Sequence, residues 1–125
     1  MIEEFPTISL KIDEGSFTCY DLIKCMFHLS EIEITILRSM EEQDALTAQE
    51  AAEIIKRDRA TAYRALEKLV SIGLAYKERR GREGRGFSNY YTKIAKKEML
   101  KKAEKNLDTC YNAIKIALMN AEMEN

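Results

Sequence analysis

Closely spaced helix-start signals constrain this chain more than any other feature of its sequence. Thr18-Cys19-Tyr20-Asp21, Ser30-Glu31-Ile32-Glu33 and Thr47-Ala48-Gln49-Glu50 each place a hydroxyl three positions ahead of an acid. In that arrangement the two side chains satisfy each other's orphan backbone amides at a helix N-terminus. Asp58 can cap a fourth helix through its carboxylate. Behind these starts lie Leu22, Ile23, Met26 and Phe27, then Ile32, Ile36, Leu37 and Met40, then Ala51, Ala52, Ile54 and Ile55. Each group fits an apolar stripe of helical period. The fourth helix, over about 59–72, meets Gly73, a residue suited to a left-handed C-terminal position.

After Gly73 the texture changes. Leu74-Ala75-Tyr76-Lys77-Glu78-Arg79 reads as a short strand and Phe87-Ser88-Asn89-Tyr90-Tyr91-Thr92 as its antiparallel partner. Three of the chain's five glycines fall between them, where a hairpin tip needs positive φ. A final helix is expected from about Lys93 to Glu122. The fold expected is therefore mainly α with a small β-hairpin: a winged helix-turn-helix domain plus a long C-terminal dimerisation helix. The expected divisions are an N-terminal arm over 1–18, the winged helix-turn-helix over 19–93 and the terminal helix over 94–125.

Composition narrows the function classes. A chain of 125 residues, 46% apolar and 33% charged, holds one domain of modest core. It contains no run of about 18 uncharged apolar residues, so a membrane span is not expected. The acidic N-terminus does not read as a signal peptide, and a cytoplasmic location is the expectation. Three cysteines without a Cys-x-x-Cys pair argue against a disulfide framework and a zinc site. Cys19 and Cys25 are not spaced as a metal pair, and His28 is the chain's single histidine, read as a polar residue at a helix end. No nucleophile–base pair appears, and Gly81-x-x-Gly84-x-Gly86 lies between strands rather than before a helix. Neither an enzyme nor a cofactor is expected.

The net charge of −1 conceals a segregated chain. Residues 1–55 carry 3 basic and 12 acidic side chains, whereas residues 56–97 carry 13 basic and 4 acidic. A net +9 block inside an acidic chain costs self-repulsion, and its counterpart is attraction to a localised polyanion. On the fourth helix Ala62, Leu66, Leu69 and Val70 form the core side, with Tyr63 at its edge. Ala60, Thr61, Arg64, Lys68 and Ser71 form the other side, small and cationic enough to enter a major groove. Arg64 is the candidate for bidentate reading of guanine and Thr61 for a base edge. Arg57 and Arg59 flank the helix start, where the dipole favours phosphate, and Lys56 joins that cluster. Thr47 and Gln49 begin the preceding helix and can grip a phosphate. Arg79, Arg80, Arg82 and Arg85 crowd the hairpin, expected as a wing on phosphates or the minor groove.

The residues now compose a family pattern. Leu29-Ser30-Glu31-Ile32-Glu33, Thr47-Ala48-Gln49-Glu50-Ala51-Ala52, Arg59-Ala60-Thr61-Ala62-Tyr63 and Ile72-Gly73-Leu74 resemble the DNA-binding domain of archaeal TrmB-type regulators. The chain is also similar to the small archaeal winged-helix regulators that include biofilm regulators. The resemblance covers about residues 29–93 and implies a homodimeric transcription regulator acting on double-stranded DNA. It does not reach the sugar-sensing domain of full-length TrmB proteins, so sugar control is not carried over.

Dimerisation has its own candidate. Leu100, Ala103, Leu107, Cys110, Ile114, Ala117 and Ala121 alternate spacings of three and four along the terminal helix, an a/d seam for a second copy. Met99, Tyr111 and Leu118 widen the stripe enough to dock on the first helix as well. The alternative reading is a winged-helix adaptor of the transcription machinery, with acidic protein partners and only nonspecific DNA affinity.

Overall fold

The computed structural model describes residues 19–82, 84 and 86–123, with the backbone alone at 82, 110 and 123. Its elements are α1 (Cys19–Met26), α2 (Glu31–Ser39), α3 (Ala48–Ile55), α4 (Arg59–Ser71), β1 (Ala75–Arg82), β2 (Gly86–Lys93) and α5 (Lys96–Met123). The N-terminal arm and the capping signal at Thr18 lie outside the described residues, as do Glu83 and Arg85. The chain divides into two compact units, Phe27–Ala95 and a second that contains α1 and α5. Thus α1, grouped with the winged helix on sequence grounds, associates instead with the terminal helix.

The capping chemistry is present in full within Phe27–Ala95. Ser30 Oγ accepts from the Glu33 amide at 3.2 Å and Glu33 Oε1 accepts from the Ser30 amide at 2.8 Å. Thr47 and Glu50 repeat the exchange at 3.2 and 2.9 Å. Asp58 Oδ1 accepts from the Thr61 amide at 3.2 Å and starts α4. That helix ends as Gly73 foretells: Gly73, at φ 81°, donates to the Val70 carbonyl and Leu74 to the Leu69 carbonyl. This pair of bonds closes the last turn and buries Leu69 against the chain reversal. Between α3 and α4 the connection is only residues 56–58, and Lys56 takes the left-handed position at φ 56°.

The core of this unit joins all three helices to the hairpin. Ile36 and Leu37 of α2, Ala51 of α3, Ala62, Leu66 and Leu69 of α4, and Leu74 are fully buried. Leu46 adds a feature that no periodicity announced. Its amide donates to the Tyr91 carbonyl at 2.9 Å and its carbonyl accepts from Tyr91 at 2.8 Å, so one residue serves as a third strand beside β2. A single paired residue is too short for an alternating pattern to mark.

The hairpin strands run farther toward the tip than residue type suggested, pairing Ala75 with Lys93 at one end and Arg82 with Gly86 at the other. Gly84 at φ 65° and Gly86 at φ 80° make the turn. Arg79 is a strand residue as expected, and Arg80 and Arg82 join it in β1 rather than forming part of a loose tip. In the other unit α1 packs against α5, with Tyr20, Ile23, Cys25, Met99 and Ala103 buried. Lys96 places its ammonium over the Tyr20 ring, 5.6 Å from the centroid. Among the described residues no helix is long and apolar enough to cross a membrane.

Candidate nucleic-acid interface

A groove of about 650 Å³ lies between the N-terminus of α3, the start of α4 and strand β2, lined by Thr47, Gln49, Arg59, Tyr63, Phe87, Asn89 and their neighbours. The floor is set by local rules. The first turn of α3, capped by Thr47, borders the groove, and the three-residue turn after α3 brings the first turn of α4 alongside. Thr47 Oγ1 already accepts from Glu50, which leaves its proton for a donor role toward a phosphate. Gln49 is exposed on the same turn, its amide only 3.5 Å from Glu53.

The start of α4 concentrates positive charge. Arg57, Arg59 and Arg64 are exposed, and among the described residues Arg57 and Arg59 have no carboxylate partner. Arg64 Nη2 donates to Thr61 Oγ1 at 3.4 Å, which leans the guanidinium toward the helix start. Hydrogen bonding to Thr61, side chain and amide, holds the Asp58 carboxyl below its ordinary value, with Arg64 adding to the effect. Ala60 is exposed beside them and keeps this surface low.

Lys68 departs from its expected place. Its Nζ lies 2.9 Å from Glu33 Oε1 and donates to the His28 carbonyl at 3.2 Å. Burial opposes ionisation of Glu33, but the Lys68 hydrogen bond and the Ser30 amide outweigh it and lower the carboxyl pKa. A side chain one turn from Arg64 on the helix therefore serves α2 rather than the open surface. Sequence alone could not place Glu33 across from it, because the pair is set by how α2 crosses α4.

The wing is fastened to α4 by a shared carboxylate. Tyr91 Oη donates to Glu67 Oε2 at 2.6 Å, and Lys77 Nζ approaches the same group at 3.1 and 3.2 Å. The Tyr91 hydroxyl and then Lys77 keep Glu67 below the usual carboxylate range against a desolvation cost. Burial, followed by Glu67 itself, pushes the Tyr91 hydroxyl above its ordinary value. Neither Glu67 nor Lys77 was singled out as a site residue, and a strand tyrosine paired to a helix acid leaves no spacing signature.

The pleat then separates the wing arginines. Arg79 shares the face of Lys77 and Tyr91, the face turned to α4, and lies over the Phe87 ring at 4.8 Å. Arg80 shares the opposite face with Tyr90, over whose ring it sits at 4.9 Å, and reaches Glu78 at 3.4 Å. Adjacent strand residues cannot face one side together, so convergence of all the wing guanidinium groups on one concave surface does not occur. Arg82 belongs by register with Arg80, its side chain and all of Arg85 being outside the described residues. Tyr63, 47% exposed, and Phe87, 64% exposed, enter the groove as aromatic surfaces that the charge pattern did not select.

The residues expected to form a seam on α5 differ in burial. Ala103 is buried within its own chain, whereas Leu107, Ile114, Ala117 and Ala121 are exposed and Leu100 stands at the boundary. Met99 is buried as expected of a docking residue, but Tyr111 and Leu118 are exposed. The Cys110 side chain lies outside the described residues.

Comparison with known proteins bears on the family and the fold. The family model for the sugar-specific transcriptional regulator TrmB matches residues 23–117. An uncharacterized protein of Methanocaldococcus jannaschii is 32% identical over 99 residues, covering 79% of this chain and 82% of that one. A possible transcriptional regulator from Methanosarcina mazei superposes with a TM-score of 0.70 at 18% identity, over 83% of this chain and 88% of the other. TrmBL2, an archaeal chromatin protein whose structure is described as showing a novel mode of DNA binding, gives a TM-score of 0.68 at 20% identity. That match covers 84% of this chain and 38% of TrmBL2. The last two establish the winged-helix architecture, while the family match spans most of the sequence: this chain belongs to the TrmB family of transcriptional regulators.

Proposed function

We propose that this protein is a dimeric, sequence-selective regulator of transcription that binds double-stranded DNA, with α4 in the major groove and the hairpin against the flanking backbone. The observation that carries this reading is the groove walled by the α3 N-terminus, the start of α4 and β2. One sugar–phosphate strand fits between a helix in the major groove and a wing beyond it. Thr47, Gln49 and Arg59 then meet phosphates, Arg64 and Thr61 meet base edges, and Arg79 meets the strand from the wing. Arg57 extends the phosphate contact before α4, and Arg80 and Arg82 supply the outer face of the wing.

A second copy is needed because one short helix reads few base pairs. The distal half of α5 supports this, since Leu107, Tyr111, Ile114, Ile116, Leu118 and Met119 are all at least half exposed in the single chain. A helix apolar on more than one side is stable in water only when something covers it. The two recognition helices then enter successive major-groove turns about 34 Å apart. A gel-shift titration against the upstream region of its own gene, at two salt concentrations with nonspecific competitor, tests the whole reading. Retention of selective binding at the higher salt supports it, and affinity no better than for competitor DNA refutes it.

A further inference from the structure

We propose that Phe87 is a wedge that enters a base step on the minor-groove side of the bound duplex, with Arg79 stacked behind it. This rests on the DNA-binding reading above. Phe87 stands near the hairpin tip and is 64% exposed, although it lies in the chain's most cationic block. Its cross-strand partner is Gly81, which offers no side chain to cover it, and a Cβ at Gly81 would meet the ring at 3.6 Å. The ring therefore lies across the glycine, an arrangement that stabilises a strand but leaves most of the ring in water. Arg79 sits over the ring, 4.8 Å from its centroid.

Phosphate contact explains the guanidinium and not the ring. An apolar side chain held beside a cation, at the edge of a surface fitted to nucleic acid, matches the partly unstacked step that minor-groove wedges create. The order across the groove agrees. Tyr63 and Arg59 form the helix wall and Phe87 the wing wall, so with α4 in the major groove and one strand between the walls, Phe87 emerges on the minor-groove side.

The test uses the full chain and a duplex carrying its selected site, with 2-aminopurine placed in turn at each step flanking the α4 contact. The wild type is expected to raise the probe's fluorescence at one step in each half-site. Phe87→Ala abolishes the rise and weakens binding about tenfold, yet keeps the base preference conferred by α4; Phe87→Leu keeps the rise. The ring is exposed, so neither variant threatens folding, and circular dichroism verifies this. Tight, selective binding with a silent probe, or a rise that survives Phe87→Ala, overturns the wedge alone. Failure of the wild type to select its site by gel shift refutes the functional reading instead.

Discussion

The Tyr91 hydroxyl donates to the Glu67 carboxylate at 2.6 Å, joining the middle of β2 to the middle of α4. Because Lys77 of β1 takes the same carboxylate, both wing strands are referred to one point on the recognition helix. Tyr91→Phe keeps the buried ring and removes only the bond. Hydrogen bonds to charged groups are worth more than neutral ones, but Glu67 retains Lys77 and some solvent. A loss of about 1–2 kcal/mol in urea unfolding is expected. Selectivity should fall as well, since the wing no longer holds a fixed angle to α4; a variant as stable and as selective as wild type would show the bond to be idle.

This cluster and the separate Lys68–Glu33 pair together set a pH window. Glu33 and Glu67 have pKa values lowered from 4.5 in the folded chain. Their stabilisation is therefore complete above that value and disappears as pH falls through the folded-state values. Tyr91 is raised above 10.0, so its contribution is complete below pH 10 and fades at higher pH, where the unfolded chain loses its proton more readily. The urea midpoint should be flat from about pH 5.5 to 9.5 and decline on both sides. In Tyr91→Phe the alkaline decline should shrink, and the acid one should keep the Glu33 share while losing part of the Glu67 share, since the Tyr91 hydroxyl is the main group lowering Glu67.

Arg64, Arg79 and Lys68 all belong to the basic block of the sequence but should respond differently. Arg64→Ala is expected to cost about 1–3 kcal/mol at one base pair and relax selectivity there. Arg79→Ala should weaken all sequences alike and lower the salt slope by about one unit, as should Arg82→Ala or Arg85→Ala. Lys68→Ala should leave the slope unchanged and instead destabilise the fold by about 1 kcal/mol, because its partner Glu33 is mostly buried. Binding titrations over a salt series, beside urea unfolding, separate the three.

These contrasts mark where sequence reasoning stops. Caps, the Gly73 terminus and the hairpin are local, governed by residues three or four apart, and each was readable from Ser30, Thr47, Asp58 or Gly84. What was not readable is set between elements: Lys68 with Glu33, Tyr91 with Glu67, Leu46 as a one-residue strand. The wing is intermediate. Alternation along β1 already implies that Arg79 and Arg80 part company, but strand length was underestimated by counting the charged, glycine-bearing end as loop.

Lys56 offers a test of the turn between α3 and α4. It holds φ 56° and ψ 44° without being glycine, a conformation that costs an L-residue about 1 kcal/mol. Its amide donates to the Ala52 carbonyl, so the position is required by the cap rather than chosen by the side chain. Lys56→Gly is expected to raise stability by about 0.5–1 kcal/mol in urea unfolding. No gain would mean that the lysine side chain repays its own backbone strain.

The distal half of α5 carries the last prediction. Leu107 is 50% exposed and Ile114 is 55% exposed in the single chain, one heptad apart on the proposed seam that also includes Ala117 and Ala121. A second copy would bury this stripe, whereas Ala103 is already committed to its own chain. Ile114→Glu sets a carboxylate in the middle of that seam, and two copies brought together would oppose one charge with its twin. Sedimentation should show a dimer for the wild type and a monomer for the variant, while circular dichroism keeps the helix signal, since Ile114 makes no contribution to the buried core of the single chain. Loss of the partner should weaken binding to a two-half-site duplex far more than to a single half-site, because only the former uses both recognition helices. A variant that remains dimeric would place the interface on another surface.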